Sequence, residues 1–130
     1  MKTEPIKLSP AFKDYLWGGT RLKTEFGMKS DLEKLAEAWE LSCHPDGPSI
    51  VASGECAGMT LTEYLEKAGK SALGTHCDAL DSFPVLIKLI DAAKKLSIQV
   101  HPTTHTPNAL NTKTARQKCG TSWTVRRARH

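Results

Sequence analysis

Phe83-Pro84-Val85-Leu86-Ile87-Lys88-Leu89-Ile90 and, five residues on, Leu96-Ser97-Ile98-Gln99-Val100-His101-Pro102 are the stretches whose reading decides the fold. The first is rich in branched residues, with Pro84 near its start where a missing N–H costs least, and it reads as a strand. Residues 91–95 are a polar connection, and the second stretch reads as another strand, ended by Pro102. On that strand Ser97, Gln99 and His101 point to one face and Ile98 and Val100 to the other. Alternate residues lie about 6.5–7 Å apart along a strand, so Gln99 and His101 can converge on one ion. An imidazole nitrogen suits zinc, and an amide oxygen is a neutral donor. Two donors are half a site, since zinc takes four, or three and a water. On spacing alone a polar sheet face is the plainer reading.

Upstream, residues 6–8 form a short extended start closed by Pro10. Asp14-Tyr15-Leu16-Trp17-Gly18-Gly19 reads as a tight turn whose backbone approaches something closely. Thr20 is placed to cap a short helix that runs through Phe26 and stops at Gly27. Residues 32–35 have a helical pattern. Residues 38–42 alternate Trp39 and Leu41 against Glu40 and Ser42, the period of a half-buried strand. His44-Pro45-Asp46-Gly47-Pro48 is a turn by composition, and residues 49–52 are a strand. Thr60, with Glu63 three residues later, predicts a capping box opening a helix over 60–68. Leu61, Tyr64, Leu65 and Ala68 share one face of it, and Gly69 follows its end.

The length of 130 residues suits one domain. With 39% hydrophobic and 25% charged residues, the composition excludes collagen-like, disulfide-scaffold and wholly disordered classes. No apolar run approaches the roughly 20 residues of a membrane span. Residues 1–8 carry charges and no apolar stretch, so no secretory signal is visible and a cytoplasmic location is expected. Cys43, Cys56, Cys77 and Cys119 contain no C-x-x-C pair and read as reduced, partly buried thiols. Residues 103–130 hold six of the 18 lysines and arginines and none of the 14 acids, so the +4 net charge resides in the tail. That tail has no helical or strand period and reads as a basic, disordered arm. Taken at face value it suggests phosphate-backbone binding, with Trp123 stacking on a base. It has no nucleic-acid motif beyond charge.

The motifs together resemble the type I, zinc-dependent phosphomannose isomerases. Tyr15-Leu16-Trp17-Gly18-Gly19 is similar to that family's Y-x-W-G opening, Ala36-Glu37-Ala38-Trp39-Glu40 to its A-E-x-W strand, and the step from Gly58 to Thr60-Leu61 to its connection into a helix. The two stretches at 83–90 and 96–102 resemble its signature region. The resemblance covers roughly residues 5–102 in order. It implies a mainly β fold with helices, here the N-terminal portion of a cupin (jelly-roll) fold with an incomplete barrel. It further implies one zinc ion and interconversion of mannose 6-phosphate and fructose 6-phosphate. Gln99 and His101 match two of the zinc ligands; Ser97 and Lys88 match positions lining the substrate pocket. Trp17 lies in the opening motif, and Glu37 is a looser match near the site. No residue is singled out as the catalytic base. Each match has a plainer alternative: Lys88 as a snorkelling surface lysine, Trp17 as a turn-packing aromatic, Glu37 as a solvated strand residue. A non-catalytic sugar-binding cupin is the rival within the same fold.

The family continues after H-P with acidic residues and a K-T-E-M-W-Y strand whose Glu is the third zinc ligand; a later His is the fourth. Here Thr103-Thr104-His105-Thr106-Pro107 follows instead. Restoring a single base near the Pro102 codon, with permitted codons, lets the tail read D-D-T-Y-A-K-R-L-E-H-E-N-G-K-T-E-M-W-Y. The expectation is therefore a division into residues 1–102, the family part, and 103–130, an out-of-frame tail. The chain alone would lack half its metal donors and be inactive, with sugar phosphate the partner of the complete family site, no membrane contact and nucleic acid disfavoured.

Overall fold

The apolar run at 83–90 enters a sheet only over its second half. Strand β5, Ile87–Ile90, pairs antiparallel with β3, Glu37–Leu41, and the ladder opens at Leu41↔Ile87. Beyond Leu41 the backbone leaves β3 for the turn at 44–47, so residues 83–86 have no strand to pair with among the described residues. The computed structural model describes residues 5–77, 83–96 and 98. The strand expected over 96–102 lies almost wholly outside them. All the described elements belong to the unit Met1–Ser97.

On its other side β3 pairs with β2, Ala11–Lys13, giving a three-stranded sheet in the order β2-β3-β5. Strand β1, Leu8–Ser9, pairs instead with β4, Ile50–Val51. Pro10 separates β1 from β2, and its missing N–H suits the point where the chain changes sheets. Both sheets are open among the described residues, with no closed barrel. The sequence read β3 as half-buried; it is more enclosed than that. Glu37, Ala38 and Trp39 are buried in succession, because the strand is central and packed on both faces.

One face of the sheet packs on the apolar core, where Ala38 meets Leu22 and Leu35, with Phe12, Met28 and Leu32 against them. Leu22 sits on α1, Arg21–Thr24. This helix is shorter than the expected run to Phe26, and Thr20 makes no side-chain cap. The cap comes from Asp91, seventy residues away, whose Oδ2 accepts from the Arg21 N–H at 2.7 Å. Residues 32–35 are not helical. Leu35 N–H donates to Gly19 O and Ala36 N–H to Lys13 O, so long-range acceptors take the donors a helix would have used. The expected polar connection after β5 is partly inside: Asp91 is buried, and Ala92 bridges to Gly18.

The turn at Leu16–Trp17 brings the backbone as close to its neighbours as the two glycines suggested. Gly18 N–H donates to Tyr15 O, and Gly19 N–H donates to Asp91 O. A Cβ on Gly18 would stand 2.5 Å from the Ala36 Cβ, and one on Gly19 would strike the Asp91 carboxylate. Helix α2, Leu61–Ala68, has the expected capping box: the Thr60 hydroxyl accepts from Glu63 N–H while the Glu63 carboxylate accepts from Thr60 N–H. Cys43, Cys56 and Cys77 are free thiols, Cys56 buried. Among the described residues no helix is long and apolar enough to cross a membrane.

Two outcomes follow. Gly18→Ala forces the turn away from Ala36 and should cost about 2–3 kcal/mol, read from urea unfolding; an unchanged midpoint would contradict the close approach. The Thr60 N–H and hydroxyl hold the Glu63 carboxyl below its ordinary value. The cap's contribution is therefore complete above the usual glutamate range and lost as pH falls through the depressed value. Amide exchange at the first turn of α2 should accelerate there in the parent chain and be insensitive to that change in Glu63→Gln.

Candidate functional site

Alternation along β3 puts Glu37 and Trp39 on the face of the sheet opposite Ala38 and the apolar core. The register then sets their neighbours. Lys13 of β2 stands opposite Glu37, and Lys88 of β5 stands opposite Trp39. Two lysines, a glutamate and an indole thus share one sheet face.

The glutamate divides its two oxygens between them. Oε1 accepts from Lys88 Nζ at 2.8 Å and Oε2 accepts from the Trp39 indole N–H at 2.6 Å. The Glu37 side chain is 7% exposed and the Lys88 side chain 32%. Glu37 is therefore a buried, doubly bound carboxylate and not the solvated strand residue that its sequence context allowed. Lys88 is no free surface lysine either. An ammonium has three N–H donors; Glu37 takes one, and the partly open side chain leaves others able to reach an anion.

The indole is enclosed by further groups. Lys13 Nζ lies 4.8 Å and Lys88 Nζ 5.8 Å from its ring centroid, both within cation–π range. His44 meets it edge-on at 5.5 Å. Lys13 also donates to the Asp46 carbonyl. His44 Nδ1 accepts from Asp46 N–H at 3.1 Å and lies 3.5 Å from the Asp46 carboxylate. Burial, then the Glu37 and Asp46 charges, push the Tyr15 hydroxyl above its ordinary value. Trp17 stacks on Tyr15 at 5.4 Å, and its carbonyl accepts from Ala93 and Lys94 N–H.

Of the residues chosen from sequence, Lys88 and Glu37 meet directly, whereas Trp17 stacks on Tyr15. Ser97, Gln99 and His101 lie outside the described residues. Among the described residues no group of three or more His, Cys, Asp or Glu side chains is arranged to hold a metal. Sequence reasoning missed Trp39, Lys13, Tyr15 and His44 as site residues. The Glu37-x-Trp39 spacing was the available signal, since it puts a donor beside a carboxylate on any strand. An open cleft of about 330 Å³, lined by Ser9, Pro10, Phe12, Met28, Lys29 and Glu40, borders the opposite side of the sheet and contains none of these groups.

The chain is similar to known proteins over most of its length. The family described as phosphomannose isomerase type I, catalytic domain, matches residues 6–120. The Bacillus subtilis strain 168 protein YvyI, which carries a mannose-6-phosphate isomerase name, is 43% identical over 102 residues, 78% of this chain and 31% of its own. The mannose-6-phosphate isomerase of Streptococcus mutans is 39% identical over 100 residues, 76% of this chain and 30% of its own. A crystal structure of the Bacillus subtilis mannose 6-phosphate isomerase superposes with a TM-score of 0.59 at 42% identity, covering 68% of this chain and 27% of that one. The chain thus spans about three-tenths of the length of the curated relatives it matches. Its architecture is the N-terminal portion of a cupin-type β fold.

Lys88→Met strands the Glu37 carboxylate in a buried site and should cost about 2–3 kcal/mol. Glu37→Gln keeps an acceptor for the indole and leaves Lys88 to solvent, so it should cost less. Urea denaturation of the two variants checks the order; the reverse order would mean that the ammonium does not stabilise the carboxylate.

Proposed function

The chain belongs to the type I phosphomannose isomerase family, and on that premise we propose that it is the substrate-facing first third of an enzyme that interconverts mannose 6-phosphate and fructose 6-phosphate. The reaction moves a proton between C1 and C2 through an enediol, which requires the sugar to be held while charge develops on its oxygens. Lys88 suits the substrate phosphate, as a point charge fixed by Glu37 and still open on one side. Ser97, like Lys88, matches a position lining the family's substrate pocket, Trp17 lies in its opening motif, and Glu37 sets the position of the cation.

The family is zinc-dependent, and the metal, when bound, supplies Lewis-acid polarisation of the sugar carbonyl. Gln99 and His101 offer one amide oxygen and one imidazole nitrogen, which fit two positions of such a site. Two donors do not complete it. We assign residues 1–102 to the family part and 103–130 to out-of-frame sequence that carries none of the family's remaining donors. This chain accordingly does not turn over substrate unaided. Sugar phosphate is its proper ligand and the cytoplasm its compartment.

The observation that carries the reading is the buried Glu37 holding Lys88 on the polar face of the sheet. An isomerase assay with added zinc tests it. The 130-residue chain should be inert. A chain read in the frame restored near codon 102 should be active, and a chelator should abolish its activity. Lys88→Met in that restored chain should raise KM at least about tenfold, the scale of one charge-assisted contact. Chelator-sensitive turnover by the 130-residue chain would overturn the incomplete site. An inert restored chain, or a gene lacking the one-base slip, would overturn the frame assignment.

A further inference from the structure

Resting on the assignment of Lys88 to the phosphate, we propose that Trp39 is a positioning residue: its indole N–H, acting through Glu37, sets where the Lys88 ammonium stands and so sets the site's affinity for a phosphate dianion. The terminal torsion of a glutamate is soft and broad. A carboxylate that is free to rotate brings both oxygens to a neighbouring ammonium and occupies more of its donors. Here the indole N–H claims Oε2 at 2.6 Å, so only Oε1 is turned to Lys88. The ammonium is anchored at one point and keeps its remaining donors.

The anchor is itself immobile. Trp39 is 8% exposed, with the His44 ring against its edge and Lys13 over its face. A Cβ on Gly47 would stand 3.0 Å from Trp39 Cε3, so the backbone packs onto the ring. An indole held in this way cannot turn its N–H elsewhere. The chain of contacts runs from the backbone at Gly47, through Trp39 and Glu37, to the cation. Both lysines of this face lie within cation–π reach of one ring. The indole thus organises the positive side of the site without touching the ligand.

The test uses the 130-residue chain labelled with nitrogen-15, with inorganic phosphate and then mannose 6-phosphate as titrants. Near-UV circular dichroism verifies that each variant is folded. The Trp39 indole N–H cross-peak, assigned by its loss in Trp39→Phe, should lie downfield of that of Trp17 and should move upfield in Glu37→Gln. Trp39→Phe keeps an aromatic ring and removes the donor; it should weaken phosphate binding about fivefold, the worth of one hydrogen bond. Lys88→Met should abolish saturation. If Lys88→Met binds as the parent does, the phosphate assignment falls and this inference with it. If Lys88→Met abolishes binding while Trp39→Phe stays within about twofold of the parent, the assignment stands and the positioning role is overturned. Should Trp39→Phe fail to fold, Glu37→Gln decides: an indole resonance that does not move overturns the proposal, and one that moves with a matching loss of affinity supports it.

Discussion

A carboxylate taken out of water must be given a cation or a full set of donors, and at Glu37 the sheet provides both. The cost of burying it is offset by Lys88 on one oxygen and the Trp39 indole on the other. That requirement fixes much else. Glu37 and Trp39 must be two apart on one strand, so β3 cannot slip by a residue without sending both into the apolar core. Lys88 must come from the neighbouring strand in a register that places it opposite Trp39. On the opposite face of β3, Ala38 is then free to pack against Leu22 and Leu35.

Local chemistry was legible wherever a few adjacent residues determine the outcome. The Thr60–Glu63 box gave the start of α2, and the glycine pair after Trp17 gave a turn with close backbone contact. What was illegible depended on partners far along the chain. Thr20 has the chemistry of a cap, yet Asp91 reaches Arg21 N–H first. Residues 32–35 have a helical pattern, yet Leu35 N–H and the following Ala36 N–H are taken by Gly19 and Lys13 acceptors. The alternation of 38–42 read as half-buried because periodicity shows which residues share a face and not what covers each face. The same limit applied to the site. Lys88 and Glu37 were both named from motifs, but their pairing needed the β3–β5 register, and Trp39 was overlooked because an apolar ring in a strand ordinarily reads as core.

The outer strand carries apolar surface left open among the described residues. Ile87, Leu89 and Ile90 are all exposed, on a strand whose composition belongs in an interior, as is Val85 just ahead of it. Among the described residues β5 ends the sheet, with one side of its ladder unpaired. An open edge of this kind is a hazard in water, because it templates pairing with other chains.

The clasp between the glycine turn and Asp91 also has a consequence for synthesis on the ribosome. Gly19 N–H and Arg21 N–H both find their acceptors on a residue some seventy positions later, and Gly18 bridges to Ala92. Contacts so distant in sequence carry a large loop-closure entropy and form slowly. The earliest-made segments therefore emerge from the exit tunnel with their stabilising contacts still untranslated. The nascent amino-terminal third waits, unlatched, until the codons around position 92 have been read.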